Sequence, residues 1–235
     1  NILFDNGVTT IGSQAFNSIN SLFTIIIPES VTTIGDLAFQ SSGLKEIEIP
    51  TSVKSIGTLA FNKCSQLTQI TVKEGNTVYS SLECVLFDKL QETLIAYPIG
   101  KTETDNKYII PTGTKIIEKQ AFEGSKLETI QIATSVTSLN SQSFYNNKQL
   151  KTVLYPRSIT QYESNVFDEC TELRTIKIIG EGNMNSFTSI KRPWQNVVQF
   201  ITKVEFGENI KSVGNYAFYG ATNLKDIVWG GITTI

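Results

Sequence analysis

Apolar and polar positions along this chain follow a pattern that returns every 22 or 23 residues. Val8-Thr-Thr-Ile-Gly-Ser-Gln-Ala-Phe16 recurs as Val31-Thr-Thr-Ile-Gly-Asp-Leu-Ala-Phe39 and as Val53-Lys-Ser-Ile-Gly-Thr-Leu-Ala-Phe61. Weaker copies run from Thr114 to Phe122, Val136 to Phe144 and Ile159 to Phe167, and a strong one from Ile210 to Phe218. Each is followed by a module of form Leu-x-x-Ile-x-Ile, often closed by Pro: Leu22 to Pro28, Leu44 to Pro50, Leu67 to Val72, Leu127 to Ile132, Leu150 to Pro156, Leu173 to Ile178 and Leu224 to Trp229. The anchor Phe residues 16, 39, 61, 122, 144, 167 and 218 are separated by 23, 22, 61, 22, 23 and 51 positions. Two longer coils therefore interrupt the array.

The alternation in Ile-x-Ile predicts a short strand with one buried face, and β-branched side chains suit its pleat. Leu three residues earlier turns inward at the strand entry. Pro after the strand removes a ladder donor and ends it. Val-x-x-Ile-Gly predicts a second, shorter extended segment that ends in a turn. Phe then fills the coil interior with Ala giving it room. Asn, Ser and Gly after it (Asn17-Ser18, Ser41-Ser42-Gly43, Asn146-Asn147) mark the next turn. In the first long coil, Val85-Leu-Phe and Leu94-Ile-Ala-Tyr predict a β-hairpin, and Tyr108-Ile-Ile-Pro stands in for a repeat strand. In the second, Ile201, Val204 and Phe206 reproduce the strand module after an insert that carries Gly180-Glu-Gly-Asn-Met and Arg192-Pro-Trp194.

One unit cannot bury enough apolar surface to offset its own ordering; neighbouring units must stack. The expected architecture is thus a mostly β, right-handed solenoid forming one domain over residues 1–235. Repeats occupy 1–72, a hairpin coil 73–113, repeats 114–179, an insert 180–200, and a repeat strand with the final repeat 201–235. Ile2-Leu-Phe4 reads as the tail of a strand module and Gly231 to Ile235 as the start of the next Val-Thr-Thr-Ile-Gly module, so the chain is expected to be a fragment of a longer array.

Composition narrows the chemistry. With 40% hydrophobic and 18% charged residues the chain is not wholly disordered. Runs such as Ile25-Ile26-Ile27 are too short to span a bilayer. The net charge is −2, without a basic footprint for nucleic acid. The chain has no His, which removes Ser-His and Cys-His nucleophiles and His metal ligands. No catalytic residue, metal site or cofactor is expected. Three Cys do not make a disulfide framework. Cys64 and Cys170 occupy equivalent positions and read as buried thiols, whereas pairing of Cys64 with Cys84 is open because their coils adjoin.

These motifs resemble the BspA-like leucine-rich repeat proteins. The form Leu-x-x-Ile-x-Ile-Pro-x-x-Val-x-x-Ile-Gly-x-x-Ala-Phe carries the resemblance over almost the whole chain. The hairpin coil resembles a family variant of form Gly-Val-Leu-Phe, Leu-Ile-x-Tyr-Pro, Tyr-x-Ile-Pro, with Cys84 here in place of Gly. Gly-x-Gly-x-Met followed by Pro-Trp resembles another family insert. The resemblance implies a curved leucine-rich-repeat solenoid with its strand modules on the concave side. It also implies a cell-surface or secreted protein that binds host or matrix proteins; a structural or cytoplasmic scaffold without a tight ligand is the alternative.

Outward positions of the strand modules should form two columns. One is Thr24, Glu46, Gln69, Thr129, Thr152, Thr175, Lys203 and Asp226. The other is Ile26, Glu48, Thr71, Gln131, Leu154, Lys177, Glu205 and Val228. As a face they are candidates for contact with a protein ligand; one by one they read equally well as solvated strand residues. Glu46 and Glu48 share a strand face, but too few oxygen ligands surround them for a cation site. Trp194 carries two readings, an exposed binding anchor or a side chain that pins the insert. Trp229 replaces an inward Ile and is expected in the core.

Overall fold

The computed structural model describes residues 7–230. The modules at Ile2-Leu-Phe4 and at Gly231 to Ile235 lie outside the described residues. The described residues wind into coils that are almost wholly β strand and turn. Two three-residue 3-10 turns, Thr104–Asn106 and Val198–Phe200, are the helical segments among the described residues. The chain divides into two compact units. The first runs to Thr102 and includes Glu118–Ser125; the second comprises Glu103–Ile117 and Lys126 onward.

Each regular coil contributes a long and a short strand to two separate parallel sheets. In the first unit the long strands Glu46–Ile49 and Gln69–Val72 pair in parallel, while Thr10–Ile11, Thr33–Ile34 and Ser55–Ile56 form the short-strand sheet. In the second unit six long strands lie in the order 226–229, 203–206, 175–179, 152–156, 129–131 and 107–109, all parallel. Short strands Ile116–Ile117, Ser138–Leu139 and Gln161–Tyr162 run beside one another. Alternation places Ile47, Ile49, Ile70, Ile130, Val153, Ile176, Ile178 and Val204 in the interior, each 2% exposed or less. That burial is the main favourable contribution to folding.

Between the strands, the Ala-Phe turn alternates its hydrogen bonds. Every second amide donates to the next coil: Gln14 to Asp36, Phe16 to Ala38 and Ser18 to Gln40, then Leu37 to Thr58, Phe39 to Ala60 and Ser41 to Asn62, all at 2.7–3.0 Å. The Phe rings stack along the array. Phe16–Phe39 and Phe39–Phe61 centroids lie 5.4 and 5.8 Å apart, and Phe144–Phe167 5.2 Å apart. A serine column supports the opposite corner. Ser30, Ser52, Ser135 and Ser158 hydroxyls donate to the carbonyls of Val8, Val31, Thr114 and Val136 one coil back, at 2.7–2.8 Å.

The irregular coils keep these columns by substitution. In the first, Tyr97 takes the Phe place and stacks on Phe122 at 4.9 Å. The expected hairpin is present as Val85–Asp88 antiparallel to Thr93–Ala96, and Tyr79–Leu82 adds a third strand that the sequence pattern did not reveal. The turn joining that strand to the hairpin consists of Glu83 and Cys84, both left-handed at φ 50° and 67°. Such a two-residue turn normally draws Gly or Asn. In the insert, Trp194 takes the Phe place, stacked on Phe218 at 5.5 Å with its indole N–H donating to Ala217 O at 2.8 Å. One Asn amide anchors each irregular coil to the coil before it. Asn76 Nδ2 donates to Pro50 and Val53 carbonyls, and Asn185 Nδ2 to those of Arg157 and Ile159.

Cys64 and Cys170 share one slot three residues after Phe, as the repeat alignment implies. Both are fully buried, and their thiols donate to Phe39 O and Phe144 O at 3.0 and 3.1 Å. In three other coils the slot holds Ser42, Ser125 and Asn147, which are also buried, and in the outermost two it holds Ile19 and Ala221, which are not. All three cysteines are free. Trp229 departs from its expected core position: it stacks on Phe206 at 4.2 Å yet stays 38% exposed. Strand Asp226–Trp229 has a partner on one side only among the described residues.

Candidate functional site

The outward residues of the long strands fall into the two columns expected from the repeat alignment. In the first unit Glu46 lies opposite Gln69 and Glu48 opposite Thr71. In the second unit one column runs Thr129, Thr152, Thr175, Lys203, Asp226, and the other Gln131, Leu154, Lys177, Glu205, Val228. Register is this regular because a one-residue slip would turn every buried Ile and Val outward. Strand Lys107–Ile109 extends both columns. Lys107 lies opposite Thr129 and Ile109, which is 52% exposed, opposite Gln131. Sequence reasoning missed these two residues because no Leu-x-x entry precedes them. The signal was nonetheless present, since Lys107-Tyr-Ile-Ile-Pro111 matches Glu46-Ile-Glu-Ile-Pro50.

The two faces differ in charge. In the first unit Glu46 and Glu48 are exposed, and Gln69 Nε2 donates to Glu46 Oε2. Beside them Lys73 Nζ meets Glu29 Oε1 at 2.7 Å, and Thr51 donates to the other carboxylate oxygen of Glu29. That hydrogen bond from Lys73 holds the Glu29 carboxyl below the usual carboxylate range. Among the described residues no group of three acidic or thiol side chains converges on a metal position.

In the second unit the face carries a charge triad. Glu205 lies 2.6 Å from Lys203 Nζ and 3.5 Å from Lys177 Nζ. The Lys203 hydrogen bond, aided by Lys177, holds the Glu205 carboxyl below its ordinary range, and Glu205 raises Lys203 in turn. Asp226, opposite Lys203 on the neighbouring strand, acts on the same ammonium group, so two lysines face two carboxylates on this part of the sheet. Along its column Lys177–Glu205 is flanked by Leu154 and Val228, and the column beside it carries Thr152 and Thr175. Such an arrangement can recognise a partner through hydrogen bonds and one or two charged contacts.

Trp194 is fully buried beneath the insert and edges against Tyr155 and Phe187 at 5.1 and 5.4 Å. It packs the insert and offers no surface to a ligand. Arg192, beside it, is 1% exposed, and its guanidinium lies 5.8 Å over the Tyr219 ring.

A second polar array escaped the sequence reading. Residues directly after Phe link across coils of the first unit. Asn17 Nδ2 donates to Gln40 Oε1, Gln40 Nε2 to Asn62 Oδ1, and Asn62 Nδ2 to Glu123 Oε2, at 3.0–3.3 Å. The series ends on a carboxylate only 2% exposed, whose other oxygen lies 3.3 Å from Lys63 Nζ. Its signal was the polar residue after each of these Phe residues, which a reading centred on the strands passed over.

Crystal structures of three bacterial proteins resemble this chain. A leucine-rich cell surface protein from Faecalibacterium prausnitzii A2-165 is 29% identical, with a TM-score of 0.70 over 97% of this chain and 59% of that one. The present chain thus spans 59% of the length of that relative. A leucine-rich repeat protein from Eubacterium ventriosum ATCC 27560 shares 23% identity at TM-score 0.69, covering 95% of this chain and 71% of that one. The pneumococcal vaccine antigen PcpA shares 19% identity at TM-score 0.64, covering 94% of this chain and 65% of that one. No curated protein matches the sequence. The family model of the BspA type leucine-rich repeat region matches six copies, over residues 1–99, 101–225 and 188–235, and with the repeat register described above this places the chain in the BspA type leucine-rich repeat family.

Proposed function

We propose that this chain is a non-enzymatic binding module of a cell-surface or secreted protein, and that it holds a host or matrix protein ligand through the outward residues of its long strands. The observation that carries the reading is the six-strand register of the second unit, which aligns Thr129, Thr152 and Thr175 beside the Lys177–Lys203–Glu205 triad on one open face. Repeat arrays use extended surfaces of this kind for recognition. The cell-surface description of the Faecalibacterium relative supports the location.

The test is binding of the full chain to immobilised fibronectin, laminin, collagen and fibrinogen, followed by the double variant Gln131→Trp, Lys177→Glu. Both positions are half-exposed, so the variant should keep the native fold by circular dichroism. It should weaken binding by tenfold or more, about 1.4 kcal/mol. Unchanged affinity would remove the face from the function. If none of the four proteins binds and antibody labels source cells only after permeabilisation, the array is a scaffold instead.

A further inference from the structure

We infer that the first unit holds a separate docking cleft for an arginine side chain of a protein partner, between the strand Ser55–Ile56 and the hairpin coil. Among the described residues Ser55–Ile56 is the last strand of its sheet and pairs on one side only, with Thr33–Ile34. In place of a further strand, the hydroxyl of Tyr79 accepts the Ile56 amide at 2.8 Å. One hydroxyl satisfies one backbone donor; it does not fill the width of a strand. The space left over is a cleft of about 320 Å³. Its walls are Ile56 and Leu59 of the third coil, Tyr79, Asp88 and Ile95 of the hairpin coil, and Glu118 and Lys119 of the next turn.

Room sets the size of the occupant. Pockets that take whole small molecules begin at roughly 300 Å³, so this one suits a single long side chain with a little of its backbone. Past Leu59 and Lys119 the space narrows to about 40 Å³ beside Phe61 and Tyr97, which ends the cleft. Ile56, Leu59 and Ile95 are only half-buried, so apolar area is left for an aliphatic stem to cover.

Charge sets its sign. Asp88 and Glu118 stand on the wall with one cation, Lys119. Asp36 adds a third carboxylate at the rim, where its Oδ1 accepts the amide of the wall residue Thr58 at 2.7 Å. Asp88 Oδ1 accepts the Thr93 amide at 2.9 Å, and neither aspartate enters an ion pair among the described residues. The lysines of the flanking segments place their ammonium groups elsewhere, Lys54 on Thr77 Oγ1 and Lys89 on the Asn76 carbonyl, at 2.8 and 2.7 Å. Three carboxylates against Lys119 favour a cation. Among cations, a guanidinium combines a long apolar stem, a planar fork for carboxylates and a flat face for the Tyr79 ring, and arginine is a frequent anchor of protein interfaces.

The experiment titrates the ¹⁵N-labelled full chain, at constant ionic strength, with acetyl-Ala-Arg-Ala-amide to tens of millimolar. Acetyl-Ala-Met-Ala-amide, which has a stem without a charge, and acetyl-Ala-Glu-Ala-amide are the controls. The arginine peptide should shift the amides of Gly57, Thr58, Ile95 and Lys119 saturably and leave those of Glu46–Ile49 in place. The methionine peptide should bind more weakly and the glutamate peptide not at all. Glu118→Gln should weaken the arginine peptide about threefold and Lys119→Gln should tighten it by about twofold, the size of partly exposed charge interactions. Lys119 is exposed, so its substitution leaves the fold intact and decides the matter even if Glu118→Gln does not fold. No saturable shift, equal shifts by all three peptides, or an affinity that Lys119→Gln leaves unchanged would each refute the assignment. The double variant Gln131→Trp, Lys177→Glu should bind the arginine peptide as the wild type does, so this cleft and the long-strand face fail separately.

Discussion

Truncating Trp194 to Ala tests whether this side chain holds the insert or serves a ligand. The indole is fully buried, stacked on Phe218, edged by Tyr155 and Phe187, and hydrogen-bonded to Ala217 O. Removing a buried Trp side chain costs about 3–5 kcal/mol in lost transfer energy and residual cavity. The Ala217 carbonyl loses its partner, adding about 1 kcal/mol. Trp194→Phe keeps a ring on Phe218 and loses the hydrogen bond and some buried area, so its cost should be about 2 kcal/mol. Urea unfolding followed by circular dichroism gives the stabilities. Because repeat arrays can unfold in parts, hydrogen exchange across residues 182–220 supplies the local measure. The expected order is wild type, then Trp194→Phe, then Trp194→Ala, with loss of protection concentrated in the insert. A Trp194→Ala protein within about 0.5 kcal/mol of wild type would refute the packing argument.

Three other outcomes follow from local geometry. Cys84 sits at φ 67° in the two-residue turn before the hairpin, where a left-handed non-glycine residue costs about 1–2 kcal/mol. Cys84→Gly should therefore stabilise the protein by about 1 kcal/mol after the extra chain entropy of glycine is deducted, read as a higher urea midpoint; a lower midpoint would count against the turn assignment. Burial pushes the Cys170 thiol up to about 12 and also raises Cys64, whereas Cys84 is half-exposed. Iodoacetamide at pH 8 should label native protein at Cys84 alone, and mass spectrometry showing equal modification of Cys170 would contradict its slot. Glu205 has a folded pKa below its ordinary value, so its stabilisation is present above the normal carboxylate pKa and is lost as pH falls through the folded value. Glu205→Gln should remove this part of the acid limb, by less than about 1 kcal/mol for a pair so near the surface, and an unchanged pH profile of the urea midpoint would show that the triad contributes nothing.

The repeat period and the outward columns were legible in the sequence for one reason. A strand alternates with period two, and a coil of constant length returns each residue to the same place, so Thr129, Thr152 and Thr175 had to line up once Ile130, Val153 and Ile176 were buried. The hairpin at Val85–Asp88 and Thr93–Ala96 was legible too, because turn residues separate two apolar runs. Both signals are local, or local and repeated.

What the tertiary structure alone decided lies where the repeat breaks. Strand Tyr79–Leu82 alternates polar and apolar residues too weakly to announce itself, and it exists because Val85–Asp88 offers it an edge. Trp194 does not resemble Ala-Phe in sequence, yet it fills the same column because a stack of rings leaves one ring-sized space per coil. The run of hydrogen bonds from Asn17 to Glu123 joins residues up to 61 positions apart. A periodic pattern predicts what each coil shares with its neighbours. Where a coil lacks the shared turn, packing and hydrogen-bond satisfaction across the gap determine which side chains are buried and which backbone donors stay open.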